Sequence, residues 1–172
     1  SYYYINWKVG NHMSTLSVNT ITEQTSGSGV KIAGHVVQVA TDHDTNIMTL
    51  SSDQNYHDTG LSIAFTPKYA DSIIVIQCMM GGEVYSSSNI GIGFKLLRDS
   101  SEVYNNDYAL YNSSNNAQRI EQTPILYSET SGNTNARTYK VQVSRRAGGG
   151  VARLNNYGES RMVIMEIAQW VH

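Results

Sequence analysis

The sequence contains a single cysteine, Cys78, among its 172 residues. One cysteine cannot form a disulfide within the chain, which excludes a small disulfide-stapled scaffold. Cys78 lies in the apolar run 73–80, so we predict a buried side chain that packs as a small hydrophobic group. Only two prolines are present, and we expect both Pro67 and Pro124 in turns or at strand starts.

Charge is also scarce. Charged residues make up 15% of the chain and the net charge is −2, against a usual charged share of about 25% in soluble proteins. No wide basic face is present, so we expect no nucleic-acid partner. The densest basic group, formed by Arg145, Arg146 and Arg153, flanks the glycines 148–150. Two interpretations are open: a solvated hairpin tip, or a contact for phosphate or an anionic glycan.

No hydrophobic run approaches the roughly 20 residues of a membrane span, so no membrane partner is expected. The first residues show no basic stretch followed by an apolar one, and no secretory signal is expected. No window of a dozen residues carries an apolar stripe with helical spacing, which excludes a helical domain.

What the sequence does contain is alternation with a period of two, the pattern of β-strands. Leu61–Phe65 and Tyr139–Val143 each predict a strand with one wet face. Ile73–Met80 is apolar on both faces and predicts a central strand. In Ile90–Phe94, Gly91 and Gly93 occupy one face, which predicts that something bulky packs close to them or that the strand bends there.

Five further strands are predicted between segments rich in turn-forming residues. They cover 34–41, 46–51, 102–105, 124–128 and 151–154. About ten short strands with regular turn signals are typical of an all-β sandwich or jelly roll. We therefore predict a jelly-roll domain over 29–172, preceded by an arm and leader strand over 1–28.

The first thirteen residues are rich in aromatic side chains. Tyr3, Ile5 and Trp7 alternate with polar neighbours, which fits an arm that adds a strand to a partner sheet. An extra strand of the same domain, or a dispensable upstream segment, remains the alternative.

The closing segment Ser160–Gln169 is apolar on both faces except for Glu166. A strand of this kind must be covered on both sides. We predict that one face joins the core and the other contacts copies of the same chain. The predicted contact residues are Met162, Ile164 and Glu166, with Met79. For Glu166, two interpretations are open: an end position that reaches solvent or an arginine, or a polar contact between subunits.

No catalytic constellation emerges from the sequence. Asp42, His43 and Asp44 are adjacent, but neighbours on a strand point to opposite faces, and a charged turn explains them better than a metal site. The carboxylates are scattered over turns, without the paired acids of a glycosidase. We predict a protein that is not an enzyme and has no metal or cofactor.

Residues 104–117 are rich in Tyr and Asn and predict a long exposed loop. Tyr108, Tyr111 and Asn112 are candidates for a surface-binding site, because Tyr and Asn make adaptable contacts. A polar loop without a ligand is the alternative.

Four motifs in order resemble small proteins of tailed bacteriophages. They are the leader 13–39, in which a Val-x-Thr-Ile strand precedes Gly-x-Val-x-Gln; the segment 60–75 with Thr66-Pro67; Phe94-x-Leu-x-Arg-Asp99; and the ending Met165-Glu-Ile-Ala168. The resemblance implies a virion component and a homotrimer whose jelly roll is similar to the tumour necrosis factor and complement C1q folds. It implies no catalytic residue.

The sequence therefore predicts a structural protein of the virion, assembled in the cytoplasm of a bacterial host. The favoured function is a trimeric capsid decoration (cement) protein that contacts the major capsid protein. The alternative is a tail-fibre or receptor-binding module for a host surface glycan. A polysaccharide depolymerase is disfavoured, because the chain is too short for a repetitive β-helix.

Overall fold

The computed structural model describes residues 20, 31–52, 54–86, 89–113 and 117–169. Within this part of the chain there are ten strands and no helix, so the all-β prediction is confirmed. Neither the predicted arm contacts, Tyr3, Ile5 and Trp7, nor most of the segment 1–28 lie among the described residues. Among the described residues, no helix is long and apolar enough to cross a membrane.

The strands follow one another along the chain with short connections. They are β1 (Val36–Asp44), β2 (Met48–Thr49), β3 (His57–Phe65), β4 (Ile73–Ser86), β5 (Ile90–Arg98), β6 (Ser101–Asn112), β7 (Ala117–Thr130), β8 (Arg137–Arg146), β9 (Val151–Leu154) and β10 (Ser160–Ile167).

Two antiparallel sheets make up the sandwich. Sheet A has the order β1-β10-β4-β9-β2, with β7 on the other side of β4, and sheet B has the order β3-β8-β5-β6. Among the eight longer strands, the first pairs with the last (β1 with β10) and the second with the seventh (β3 with β8). The third pairs with the sixth (β4 with β7) and the fourth with the fifth (β5 with β6). A chain that is folded back once and then rolled pairs in this way, which is the scheme of a jelly roll.

The core lies between the two sheets. Alternate residues of β4 point into it, and Ile74, Ile76 and Met80 are completely buried. The prediction that Ile73–Met80 forms a central strand is confirmed, since β4 pairs with β10 and β9 on one side and with β7 on the other. Cys78 is 2% exposed, as predicted, and its burial raises the pKa of the thiol to about 12.

The predicted loop over 104–117 is wrong. Most of it is the second half of β6, which pairs with β5 as far as Asn112, and only a short connection separates it from β7. Pro124 also differs from the prediction, because it lies in the middle of β7. Its missing N–H is tolerated there, since β7 pairs only with β4 and is an edge strand.

Of the two alternatives for the glycines of β5, the structure shows close packing. A Cβ on Gly93 would lie 2.9 Å from the hydroxyl oxygen of Tyr56 and 2.8 Å from the carbonyl oxygen of Asp107. A Cβ on Gly91 would lie 3.1 Å from the Tyr108 ring and 3.2 Å from the Tyr111 ring. Because the two glycines have no side chains, tyrosine side chains can pack directly against the outer side of β5.

The closing strand β10 turns the opposite way from the prediction. Met162, Ile164 and Glu166 are all 0% exposed and point into the sandwich, so these three cannot line a contact between copies as predicted. The half-buried residues Val163 and Met165 point outward instead. The reason is that β10 pairs with β1 on one side and with β4 on the other, and these two registers determine which alternate side chains of β10 face the core.

Glu166 stabilises the loop between β3 and β4. Its carboxylate accepts hydrogen bonds from the main-chain N–H groups of Lys68 and Tyr69 at 2.9 Å and from the Ser72 hydroxyl at 2.6 Å. The Gln38 side-chain amide donates a further bond. A buried carboxylate is tolerated when donors surround it in this way. Both interpretations offered for Glu166 are therefore replaced by a role within the domain.

Candidate interaction surface

The outer side of sheet A carries two successive rungs of side chains that are free of charge. Register across β1, β10, β4 and β7 places Val39, Met165, Val75 and Ser128 in the first rung. Thr41, Val163, Gln77 and Leu126 form the second. Five of these eight side chains are apolar and none is ionisable. We call this surface the apolar face.

Several of its members are largely open to solvent in the single chain. Leu126 is 66% exposed and Val39 is 56% exposed. Met79, on the next rung, is 45% exposed and lines a hollow of about 430 Å³ together with Leu126 and Val163. Contiguous exposed apolar surface of this kind marks a place where another surface packs. Of the four predicted contact residues, only Met79 borders the apolar face, on a rung that it shares with Arg161.

The outer side of sheet B has the opposite character. Register across β3, β8, β5 and β6 gives one rung with Asp58, Gln142, Lys95 and Asn105. The next rung contains Ser62, Lys140, Leu97 and Glu102. Four of these eight side chains are charged, and they form the ion pairs Lys140–Asp58 at 3.1 Å and Lys95–Glu102 at 2.6 Å. We call this surface the charged face.

Tyr56 extends the charged face over Gly93. Its hydroxyl donates to Asp107 at 2.6 Å, and the Lys95 ammonium lies 4.4 Å from the centre of its ring. Arg146 pairs with the same Asp107 carboxylate at 2.7 Å. Burial, followed by the hydrogen bond to Asp107, raises the pKa of Tyr56 well above its ordinary value. The charges of this face are thus matched within the chain.

Tyr108, which is exposed, and Tyr111, which is half-buried, form an aromatic pair at the other end of β6. Their ring centres are 5.6 Å apart and their planes are nearly perpendicular, at 85°. Together with Ala147 they border a shallow hollow of about 310 Å³. Asn112, the third member of the predicted surface site, is only 7% exposed and therefore does not belong to that surface.

The basic group predicted at a hairpin tip lies in β8 and β9, on either side of a connection between the two sheets. Residues 147–150 join β8 of sheet B to β9 of sheet A. Arg153 lies 3.5 Å from the buried carboxylate of Glu83, and Arg145 donates to the Gly148 carbonyl at 2.6 Å. Arg146 is paired with Asp107. All three arginines therefore make contacts within the chain.

Asp42, His43 and Asp44 lie in β1 and not in the predicted turn. Asp42 accepts a hydrogen bond from the Ser62 main chain at 2.9 Å, while Asp44 accepts bonds from the side-chain amides of Asn46 and Asn155. The described residues contain no group of three His, Cys, Asp or Glu side chains that could share a metal ion. Both aspartates therefore have structural partners.

Sequence reasoning missed Val39, Leu126, Val163 and Met165 as surface candidates. The alternation in β10 and β7 can be read from the sequence, but alternation alone does not say which of the two sets of alternate residues points outward. The signal that distinguishes the phases is the register with neighbouring strands, which brings residues more than thirty positions apart into one rung.

Comparisons with known proteins give only weak similarities to solved structures. No protein-family model matches the chain, and no curated protein is significantly similar to it. Two solved structures of infectious bursal disease virus, from the Gx and Gt strains, share 13% identity over 78% and 79% of the chain, with TM-scores of 0.43 and 0.41. The dimeric latent PorU from Porphyromonas gingivalis shares 8% over 82%, with a TM-score of 0.37. The chain spans 37%, 38% and 14% of these three longer chains.

Proposed function

We propose that the protein is a non-enzymatic structural subunit of a tailed bacteriophage particle, and that it acts as a trimeric capsid decoration (cement) protein. The observation that carries this proposal is the apolar face. Sheet A presents eight uncharged outward positions in two adjacent rungs, while two adjacent rungs of sheet B carry matched ion pairs. The four bacteriophage-like sequence motifs indicate the kind of particle.

The apolar face would be the contact between copies. Burying a large aliphatic side chain contributes about 1.5–3 kcal/mol, so covering Leu126, Val39 and Met79 in each copy would stabilise an assembly strongly. A closed ring of three copies covers the face of every member without leaving a free one. The charged face would then remain toward solvent.

The decoration role would place the trimer on a capsid. The predicted arm, with Tyr3, Ile5 and Trp7, would pair with an edge of the major capsid protein through main-chain hydrogen bonds. No catalytic group is needed for this role. Localisation in the virion, after assembly in the cytoplasm of the host, follows from the same proposal.

Two measurements test the proposal in sequence. The mass in solution, by light scattering after size exclusion, should be three times 19.0 kDa. A stable monomer at micromolar concentration would overturn the trimer. Electron cryomicroscopy of the parent virion should then show density for the protein on the head, and density confined to the tail would overturn the decoration role.

The second candidate function is a tail-fibre or receptor-binding module. The observation that favours it is the pair of Tyr108 and Tyr111 with its hollow, since aromatic faces stack on sugar rings. Adsorption of the phage to its host should fall after Tyr108→Ala together with Tyr111→Ala. Unchanged adsorption would count against this candidate.

A further inference from the structure

A polar cavity of about 490 Å³ opens where the turn between β5 and β6 meets the loop between β7 and β8. It lies outside the apolar face and away from the tyrosine pair, with which it shares no residue. Its lining includes Arg98, Asp99, Thr130, Asn133, Asn135 and Arg137.

One wall of this cavity is held in a defined conformation by Asp99. Asp99 adopts a positive φ of 55°, and its main-chain N–H donates to the Thr138 carbonyl at 2.7 Å. The Thr138 N–H returns a bond to Asp99 Oδ1 at 2.8 Å. The second carboxylate oxygen, Oδ2, accepts no hydrogen bond from any described residue, so it is available to a ligand.

The other wall is built around Arg137, which is 7% exposed. Its guanidinium donates to Asn133 Oδ1 at 2.9 Å and to the Asn133 carbonyl at 3.1 Å. The main-chain N–H of Asn135 also donates to Asn133 Oδ1, at 2.9 Å. Within the described part of the chain nothing bonds to the side-chain amide of Asn135. This amide therefore offers one donor group and one acceptor at the wall of the cavity.

The charges around the cavity balance. Glu129 lies beneath it and forms ion pairs with both Arg98 and Arg137. The Tyr139 and Tyr127 hydroxyls also donate to Glu129, which helps to keep its carboxylate in place. Two guanidinium groups and two carboxylates, those of Glu129 and Asp99, therefore leave the surroundings of the cavity without net charge, so the overall charge favours neither an anionic nor a cationic ligand.

We infer that this cavity binds an uncharged, hydroxyl-rich ligand, namely a neutral saccharide. A sugar hydroxyl both donates and accepts, which matches the free acceptor of Asp99 and the free amide of Asn135. The Asp99 carboxylate is already held by its bond from the Thr138 N–H, so little ordering of that group is lost on binding. The volume is within the range of about 300–1,000 Å³ that small-molecule sites occupy. The inference does not depend on the trimer or on the position of the protein in a virion.

The test is a titration of the isotope-labelled full chain with maltose, lactose, cellobiose and the charged monosaccharide glucuronate, followed by NMR. At least one neutral disaccharide should give saturable shifts of the Gly132 main-chain amide and the Asn135 side-chain amide. Asp99→Asn keeps the acceptor for Thr138 and tolerates the positive φ, but it replaces the free oxygen with a donor. We expect it to weaken binding about tenfold or more.

Asn135→Ala should weaken binding by about fivefold or more, because it removes a neutral hydrogen-bonding group. Thr134→Ala, in the same loop but outside the cavity lining, is the matched control and should bind normally. The inference is overturned if none of the neutral disaccharides binds, if glucuronate binds more tightly than all of them, or if shifts persist unchanged in Asp99→Asn. Shifts confined to Tyr108 and Tyr111 would also overturn it, in favour of the tyrosine pair. The oligomeric mass is a separate readout, so failure here leaves the trimer proposal standing.

Discussion

The apolar face and the charged face are the outer surfaces of two sheets in the same small sandwich, and both follow the same period-two alternation. On sheet B the outward positions hold Asp58, Lys95 and Lys140, with each charge paired by a neighbour. On sheet A the corresponding positions hold Val39, Val163 and Leu126. In both sheets, therefore, alternate side chains form the core, and the outward side chains determine what the sheet can contact. The outer face of sheet B is suited to water, whereas the outer face of sheet A is suited to packing against another apolar surface.

The largest expected effect distinguishes the two sides of one strand. Ile164 and Val163 are neighbours in β10, but Ile164 is fully buried whereas Val163 faces outward. Ile164→Ala should lower the free energy of unfolding by about 2–5 kcal/mol, because it leaves a cavity in the core. Urea unfolding of the variant checks this value. Val163→Ala, measured in the dissociated chain, is the control and should cost much less; equal costs would contradict the assignment of the faces.

A charge placed on the apolar face should break assembly. Val163→Lys would bury an uncompensated ammonium in the contact between copies, which we expect to weaken association by about 100-fold or more. Light scattering should show monomers at concentrations where the unaltered protein is a trimer.

The matched control for this change is on the other sheet. Ala64 is exposed and points outward from β3. Ala64→Lys should leave the mass in solution unchanged, since the charged face already tolerates lysines. Dissociation of both variants would indicate that added charge alone, and not the apolar face, governs assembly.

The next effect concerns the close packing on the charged face. Gly93→Ala would place a methyl group against the Asp107 carbonyl and the Tyr56 hydroxyl, at less than 3 Å from each. Overpacking of this kind costs about 1–3 kcal/mol, so the midpoint of thermal unfolding should fall. Ser62→Ala on the same face is the control and should leave the midpoint nearly unchanged. The trimer should survive both substitutions, because neither touches the apolar face.

The smallest effect concerns an ion pair of the charged face in acid. The hydrogen bond from Gln142, with further support from Lys140, lowers the pKa of Asp58 from its ordinary value of 3.8. Because the folded-state pKa is below the unfolded one, Asp58 stabilises the fold above about pH 3.8, and this contribution disappears as the pH falls through the lowered pKa. Asp58→Asn should reduce stability at neutral pH by less than about 1 kcal/mol.

The same substitution should make stability less dependent on pH below 4. Comparing unfolding of the two proteins between pH 2 and pH 7 checks this, and parallel curves would contradict it. Raising the salt concentration should also make the stability of the unaltered protein less dependent on pH, since ions screen exposed pairs.

Much of the fold could be predicted from the sequence, because strand patterns are local. Leu61–Phe65, Ile73–Met80 and Val151–Leu154 were predicted strands and lie within β3, β4 and β9. Residues 106–112 were not recognised as a strand, because polar residues at an edge carry a weak strand signal. The polar cavity was missed for another reason: Asp99 and Asn135 belong to separate turns that only the fold brings together.

The sequence by itself determined that this chain is a β-sandwich with too little charge to cover both of its outer faces. Only the tertiary structure decided which phase of β10 became the core and which became surface. A period of two has two phases, and when both are apolar, local sequence does not distinguish them. Pairing with β1 and β4 does, because it turns Ile164 toward sheet B and provides Glu166 with donors from residues almost a hundred positions away.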